Sequence, residues 1–94
     1  MILKLAYPTG PRDTEGTEIA LDLRGTHVRA FVSQPDRLPG VCIVSHLLTG
    51  RKLAQFHCGP DLAAAKAQAW LDAEADTVGK QRILEIMNDY EVIN

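Results

Sequence analysis

Five aromatic residues among 94, two cysteines and no long hydrophobic run are what this sequence has least of. Each shortage excludes something. Two Phe, two Tyr and one Trp force an aliphatic core and leave few platforms for stacking nucleic-acid bases. No segment approaches the roughly 20 apolar residues that a membrane helix needs, so no membrane partner is expected. The opening MILKLAYPTGPR has a short apolar run but no small-residue cleavage site, which fits a first strand better than a secretory leader. A cytoplasmic protein with free thiols at Cys42 and Cys58 is therefore expected. Nucleotide and nucleophile motifs are missing as well. Gly79-Lys80 lacks the glycine five positions earlier, where Glu74 stands, and the Ser or Thr after the lysine, where Gln81 stands. Neither Ser33 nor Ser45 lies in a G-x-S-x-G turn.

What is present is the balance of a folded chain, with 46% apolar and 23% charged residues. A chain of this length forms one domain, residues 1–94, and buries roughly 60 to 65% of the surface it exposes when unfolded. The net charge of −2 is unevenly divided. Up to Cys58, Lys4, Arg12, Arg24, Arg29, Arg37, Arg51 and Lys52 outnumber Asp13, Glu15, Glu18, Asp22 and Asp36. Beyond Gly59, Lys66, Lys80 and Arg82 face Asp61, Asp72, Glu74, Asp76, Glu85, Asp89 and Glu91. The result is a mild dipole, basic in the first part and acidic in the second, which favours oriented encounter with a charged partner.

The patterns along the chain fall into two languages. Residues 1–7 alternate with the period of a strand, ended by Pro8, and residues up to Gly16 read as a polar loop. Ile19, Leu21 and Leu23 form one face of a second strand, and Arg24-Gly25 supplies a two-residue turn. That turn sets Leu23 opposite Thr26, Leu21 opposite Val28 and Ile19 opposite Ala30, leaving Asp22 and His27 on the solvent side. QPDRLPG, residues 34–40, is a loop. A second hairpin follows, with Val41 to Leu48 running in, Lys52 to Cys58 running out, and Thr49-Gly50 or Gly50-Arg51 as its turn. Both faces of its first strand are apolar, so it is either a central strand covered on both sides or an interface. After Gly59 strong helix formers take over from Pro60, with Asp61 complementing the helix dipole. A second helix, KQRILEIMNDY, carries Ile83, Ile86, Met87 and Tyr90 on one face and is expected to be capped by Asp76 or Thr77. The tail EVIN is expected to extend as a short strand or fray. The fold class is α+β: an antiparallel sheet of about five strands, made of two hairpins plus an N-terminal strand, followed by two C-terminal helices packed on one face.

Chemistry-bearing residues concentrate in VCIVSHLLTGRKLAQFHC, residues 41–58. A structural zinc site needs four ligands converging on one point. With a two-residue turn Cys42 lies opposite His57 but His46 lies opposite Leu53, on the order of 13 Å away along the strand. A three-residue turn would place Cys42 across from Cys58, where a disulfide is geometrically feasible, and the reducing compartment argues against it. Neither a metal nor a cofactor is expected. Cys58 precedes a helix start, which lowers a thiol pKa, but adjacent strand residues such as His57 point to the other face. The carboxylate pairs Glu85–Asp89 and Asp72–Asp76 sit at helical spacing and read as solvated surface.

The element order, a strand, two hairpins and a helix pair in fewer than 100 residues, resembles small phage-encoded anti-CRISPR proteins, the compact inhibitors of type I surveillance complexes. That resemblance rests on layout and carries no motif. It implies an inhibitor acting by stoichiometric protein contact without catalysis. The residues themselves point the same way, to a non-enzymatic protein-binding module whose contact surface includes Arg24, Arg37, Arg51 and Lys52 at hairpin tips and loops. Two alternatives stay open. One is a sheet-based nucleic-acid binder using the arginine-bearing hairpins, against which an isoelectric point near 5.8 weighs. The other is a small enzyme using Cys58 or His57. Homodimerisation through the second hairpin or its edge is also expected to be within reach.

Overall fold

Alternation, turn chemistry and helix propensity place eight elements in the computed structural model, which describes all 94 residues. They are β1 (Ile2–Tyr7), β2 (Gly10–Glu15), β3 (Thr17–Leu23), β4 (Thr26–Ser33), β5 (Cys42–His46), β6 (Lys52–Phe56), α1 (Pro60–Thr77) and α2 (Lys80–Asn88). The class is α+β, but the strands number six and divide between two antiparallel sheets. β1 and β2 form a separate ribbon, and β3-β4-β5-β6 form a four-stranded meander.

The β3–β4 hairpin has the expected register, with Leu23 opposite Thr26, Leu21 opposite Val28 and Ile19 opposite Ala30. Its turn has φ of 48° at Arg24 and 90° at Gly25. That primed geometry matches the right-handed twist of the flanking strands. The segment after Pro8 departs from expectation. It is strand β2, paired along its length with β1 from Tyr7–Gly10 to Ile2–Glu15. Its sequence, GPRDTE, has no apolar alternation because neither face of β2 is buried. Polar cross-strand pairs hold it: Lys4 Nζ donates to Asp13 at 2.8 Å, directly opposite in the ladder, and the terminal amine pairs with Glu15.

The second hairpin follows none of the three turn registers read from the sequence. Cys42 is opposite Phe56, Ile43 opposite Gln55 and Val44 opposite Ala54, and a bulge at Leu53 then brings Lys52 opposite Ser45. The turn is a four-residue loop, Leu47 to Gly50, closed by Gly50 N–H to His46 O and His46 N–H to Arg51 O, both at 2.8 Å. Tertiary contacts fix that loop. The tail is neither strand nor frayed: the N–H groups of Ile93 and Asn94 donate to Leu48 O at 2.8 and 3.1 Å.

Both helices pack on one face of the four-stranded sheet. Leu21, Leu23, Val28, Ala30, Val32, Cys42 and Val44 meet Ala63, Ala67 and Leu71 of α1 and Ile83 and Met87 of α2 in the main core. Small residues at 63 and 67, one helical turn apart, let α1 lie close to the strands. The cap of α2 is Gly79; Asp76 and Thr77 belong to α1 itself, and the Thr77 hydroxyl donates to Ala73 O at 3.1 Å. The opposite face is covered too, by the β1–β2 ribbon over a second core of Leu3, Phe31 and Leu47 with Leu5 beside it. β4 records the boundary of that cover, since burial alternates up to Arg29 and is continuous from Ala30 to Ser33. β5 is therefore the doubly covered central strand that its two apolar faces anticipated. Opposite Phe31 in the ladder lies Ser45, fully buried with no hydrogen-bond partner for its hydroxyl. Such an orphan costs about 1–3 kcal/mol of desolvation. No helix is long and apolar enough to cross a membrane.

Candidate protein-contact surface

The β5–β6 loop, the β1–β2 turn and the C-terminal tail converge at one end of the molecule. The loop needs its inward carbonyls satisfied, and residues from both chain ends supply the donors. Ala6 N–H donates to Gly50 O at 3.0 Å. The Asn94 side-chain amide donates to Lys4 O at 2.9 Å and Leu47 O at 2.6 Å, while its Oδ1 accepts from Lys4 N–H at 2.8 Å. Within the loop the buried His46 places Nδ1 2.9 Å from Thr49 Oγ1.

This clamp sets two exposed tyrosines and three cations together. The Arg51 guanidinium lies 4.2 Å from the centre of the Tyr90 ring, and Arg12 lies 5.2 Å from that of Tyr7. Arg51 stands between two recesses. One, of about 180 Å³, is bordered by Tyr7, Pro8, Pro11 and Glu91. The other, of about 330 Å³, is bordered by His46, Lys52, Ile86 and Tyr90. Glu91 is the only acid on their walls, so the patch is basic. A guanidinium held over a ring loses less freedom when it binds a partner.

The four arginine and lysine positions read from the sequence are not gathered into one surface. Arg51 and Lys52 come together here, and Lys52 Nζ also donates to Gln55 at 2.8 Å. Arg24, at the β3–β4 turn, is engaged within the chain: it pairs with Asp76 and donates to Asp72 O at 3.2 Å, and Lys80 Nζ reaches Arg24 O at 3.0 Å. These contacts tie both helices to the hairpin. Arg37 is exposed in the β4–β5 loop, which joins the opposite ends of those strands from the β5–β6 loop. Sequence reasoning missed Tyr7, Arg12 and Tyr90. The available signal was a tyrosine near each end of the chain, but nothing local says that the ends meet.

The histidines and cysteines disperse. Cys42 is in the main core, where burial pushes its thiol pKa up, and its thiol donates to Cys58 O at 3.3 Å. A buried thiol with a raised pKa is a poor nucleophile. Both cysteines are free thiols, and their residues are not cross-strand neighbours. His57 is exposed at the end of β6, and no three His, Cys, Asp or Glu side chains gather in a metal-binding group.

Burial lowers the His46 pKa below its ordinary 6.5. The groups bordering its two recesses are His27 and Arg29 on one side and Arg51, Lys52 and Tyr90 on the other, none of them an acid that would favour the imidazolium. The unfolded chain therefore takes up this proton first, so His46 leaves stability intact above about pH 6.5 and erodes it as pH falls toward the lowered folded value. His46→Gln is expected to flatten the fall in unfolding free energy between neutral and mildly acidic pH, measured by urea titration.

No family model matches the chain, and neither the curated proteins nor the solved structures give a significant match.

Proposed function

We propose that this chain is a non-enzymatic protein-binding module that acts by stoichiometric contact and engages an acidic partner surface through Arg51 and Lys52, with Tyr7, Arg12 and Tyr90 around them. The observation that carries this reading is the Arg51 guanidinium stacked on Tyr90 between two recesses. Tyrosine and arginine dominate the energetics of protein interfaces because they offer large, rigid contact area with a polar or charged tip. The same residues serve nucleic acid less well, since Arg12 and Arg51 already occupy ring faces on which bases would stack. Arg24 and Arg37 contribute less in this reading, the first because Asp76 offsets its charge and the second because it lies at the far end of the sheet.

The test uses the intact chain as bait in extract of its native host, followed by direct titration with the captured protein. R51E/K52E is expected to weaken that complex by roughly 10- to 100-fold, as loss of one or two anchor residues does. R37E is expected to change it little. Capture that is indifferent to R51E/K52E would refute the surface. Binding of random oligonucleotides that collapses steeply with salt would move the assignment to nucleic acid.

A further inference from the structure

His46 is the one histidine that the fold buries, at 7% exposure, and only one of its two ring nitrogens is satisfied within the chain. Nδ1 meets Thr49 Oγ1 at 2.9 Å. Among buried side-chain polar atoms only the Ser45 hydroxyl is both sealed and unpartnered, so Nε2, which bonds to nothing in the chain, opens to a recess. A nitrogen held and left open in this way calls for a partner from outside. Thr49 Oγ1 already accepts from Arg51 N–H at 3.4 Å, and when it gives its own proton to Nδ1 the ring proton lies on Nε2. In the imidazolium Nε2 is protonated too. It therefore faces the recess as a donor in both forms.

Two recesses flank this ring, and Met87 of α2 borders both. The one of about 290 Å³ is bordered by His27 and Arg29, but the Arg29 guanidinium is spent on Glu18 of β3 through bonds of 2.8 and 2.9 Å. The one of about 330 Å³ is bordered by Arg51 from the loop, Lys52 from β6 and Tyr90 beyond α2. Neither Arg51 nor Lys52 has an ion-pair partner, and Lys52 Nζ rests only on the exposed Gln55. No acid borders either recess. Uncompensated positive charge thus lies on one side of the ring.

We propose that the larger recess binds a phosphate dianion, such as a phosphomonoester, held by the Arg51 guanidinium, the Lys52 ammonium and the Nε2–H of His46. Charge selects the ligand class. Two free cations match the two negative charges of a phosphomonoester at neutral pH, whereas a carboxylate answers only one of them. Proton uptake follows from the same contact: burial lowers the His46 pKa, and a dianion beside Nε2 favours the imidazolium and draws that pKa back up. A phosphorylated side chain of a protein partner and a free phosphate compound present the same group. Only the first rests on the protein-contact reading, which this site deepens.

The experiment titrates the intact chain with inorganic phosphate at neutral pH and fixed ionic strength, with acetate as the monoanion control, following the His46 imidazole by NMR. Saturable binding at millimolar concentration is expected, with acetate at least about tenfold weaker. The His46 titration midpoint is expected to move upward in phosphate relative to sodium chloride of the same ionic strength. Arg51→Gln and Lys52→Gln, both at exposed positions and checked for folding by circular dichroism, are each expected to weaken phosphate about tenfold. Phosphatase treatment of the captured partner then separates the carriers. Weakened capture places the phosphate on the partner, and unchanged capture, with phosphate still bound by the chain, places it on a free compound. Phosphate that binds no better than acetate, that leaves His46 unmoved, or that ignores both substitutions overturns the proposal. Capture indifferent to R51E/K52E refutes the contact surface alone and leaves this site standing.

Discussion

Truncating Phe31 to alanine is expected to lower the unfolding free energy by about 3–5 kcal/mol, the range for a large aromatic removed from a closed core. Phe31 is fully buried on the side of β4 turned away from the helices, where its apolar neighbours are Leu3, Leu47 and the partly buried Leu5. The neighbourhood has little room to collapse. Gly16 crosses so closely that a methyl group there would lie 2.8 Å from Phe31 Cδ2 and 3.2 Å from Leu3 Cδ1. Because the second core is the ribbon's apolar seat on the sheet, the loss is expected to be polarised. Hydrogen exchange should speed up in β1 and β2 well before β3 and β4, whose main core with α1 is untouched. Urea titration gives the magnitude, and exchange gives the location. Uniform loss of protection across both sheets would show instead that the two cores unfold as one unit.

The same two-core arrangement explains what was legible in the sequence. The alternation of Ile19, Leu21 and Leu23 and the Arg24-Gly25 turn are local signals, and they fix every pair in the β3–β4 ladder. α1 is equally local, being a run of helix formers opened by proline. The two apolar faces of β5 left open a strand covered on both sides or an interface, and the two cores make it the first. Its covering layer was hidden, because β2 is held by the ladder and by ion pairs such as Lys4–Asp13 and shows no buried face. The register of the second hairpin was hidden for a different reason. Tight two- or three-residue turns satisfy themselves, but the four-residue loop at Leu47–Gly50 depends on Asn94 and Ile93, whose arrival nothing near residue 50 announces.

The candidate surface divides in the same way. Arg51 and Lys52 were legible because they are adjacent and lie beside a turn. Arg24 carried the same local signature yet is held by Asp76 and by Asp72 O, since α1 happens to end over the β3–β4 turn. Tyr7 and Tyr90 lie near opposite ends of the chain, and only the clamp between β1, the loop and the tail brings them to either side of Arg51. Composition names the residue types that make an interface; long-range topology decides which of them share it.

Gly50→Ala tests that clamp at its tightest point and is expected to cost about 3 kcal/mol of stability, with loss of the contact surface as well. Gly50 has φ of +66°, a left-handed conformation that costs other residues roughly 1–2 kcal/mol. Sterics add to this, because a methyl group would stand 2.5 Å from Lys4 O, 2.7 Å from Ile93 Cδ1 and 3.0 Å from Ala6 N. The Ile93 side chain can swing aside, but Lys4 O and Ala6 N are β1 backbone and cannot yield without lifting the ribbon. Lifting it breaks the Ala6–Gly50 hydrogen bond and separates Asn94 from Lys4. The tail should then become the first site cut in limited proteolysis, and Tyr90 should part from Arg51. Partner affinity is expected to fall together with stability, so binding is to be measured below the melting transition with the folded fraction known. A Gly50→Ala chain that melts like the wild type and keeps its tail protected would mean that the loop bears no such load, and that Arg51 and the two tyrosines are positioned by something other than the meeting of the chain ends.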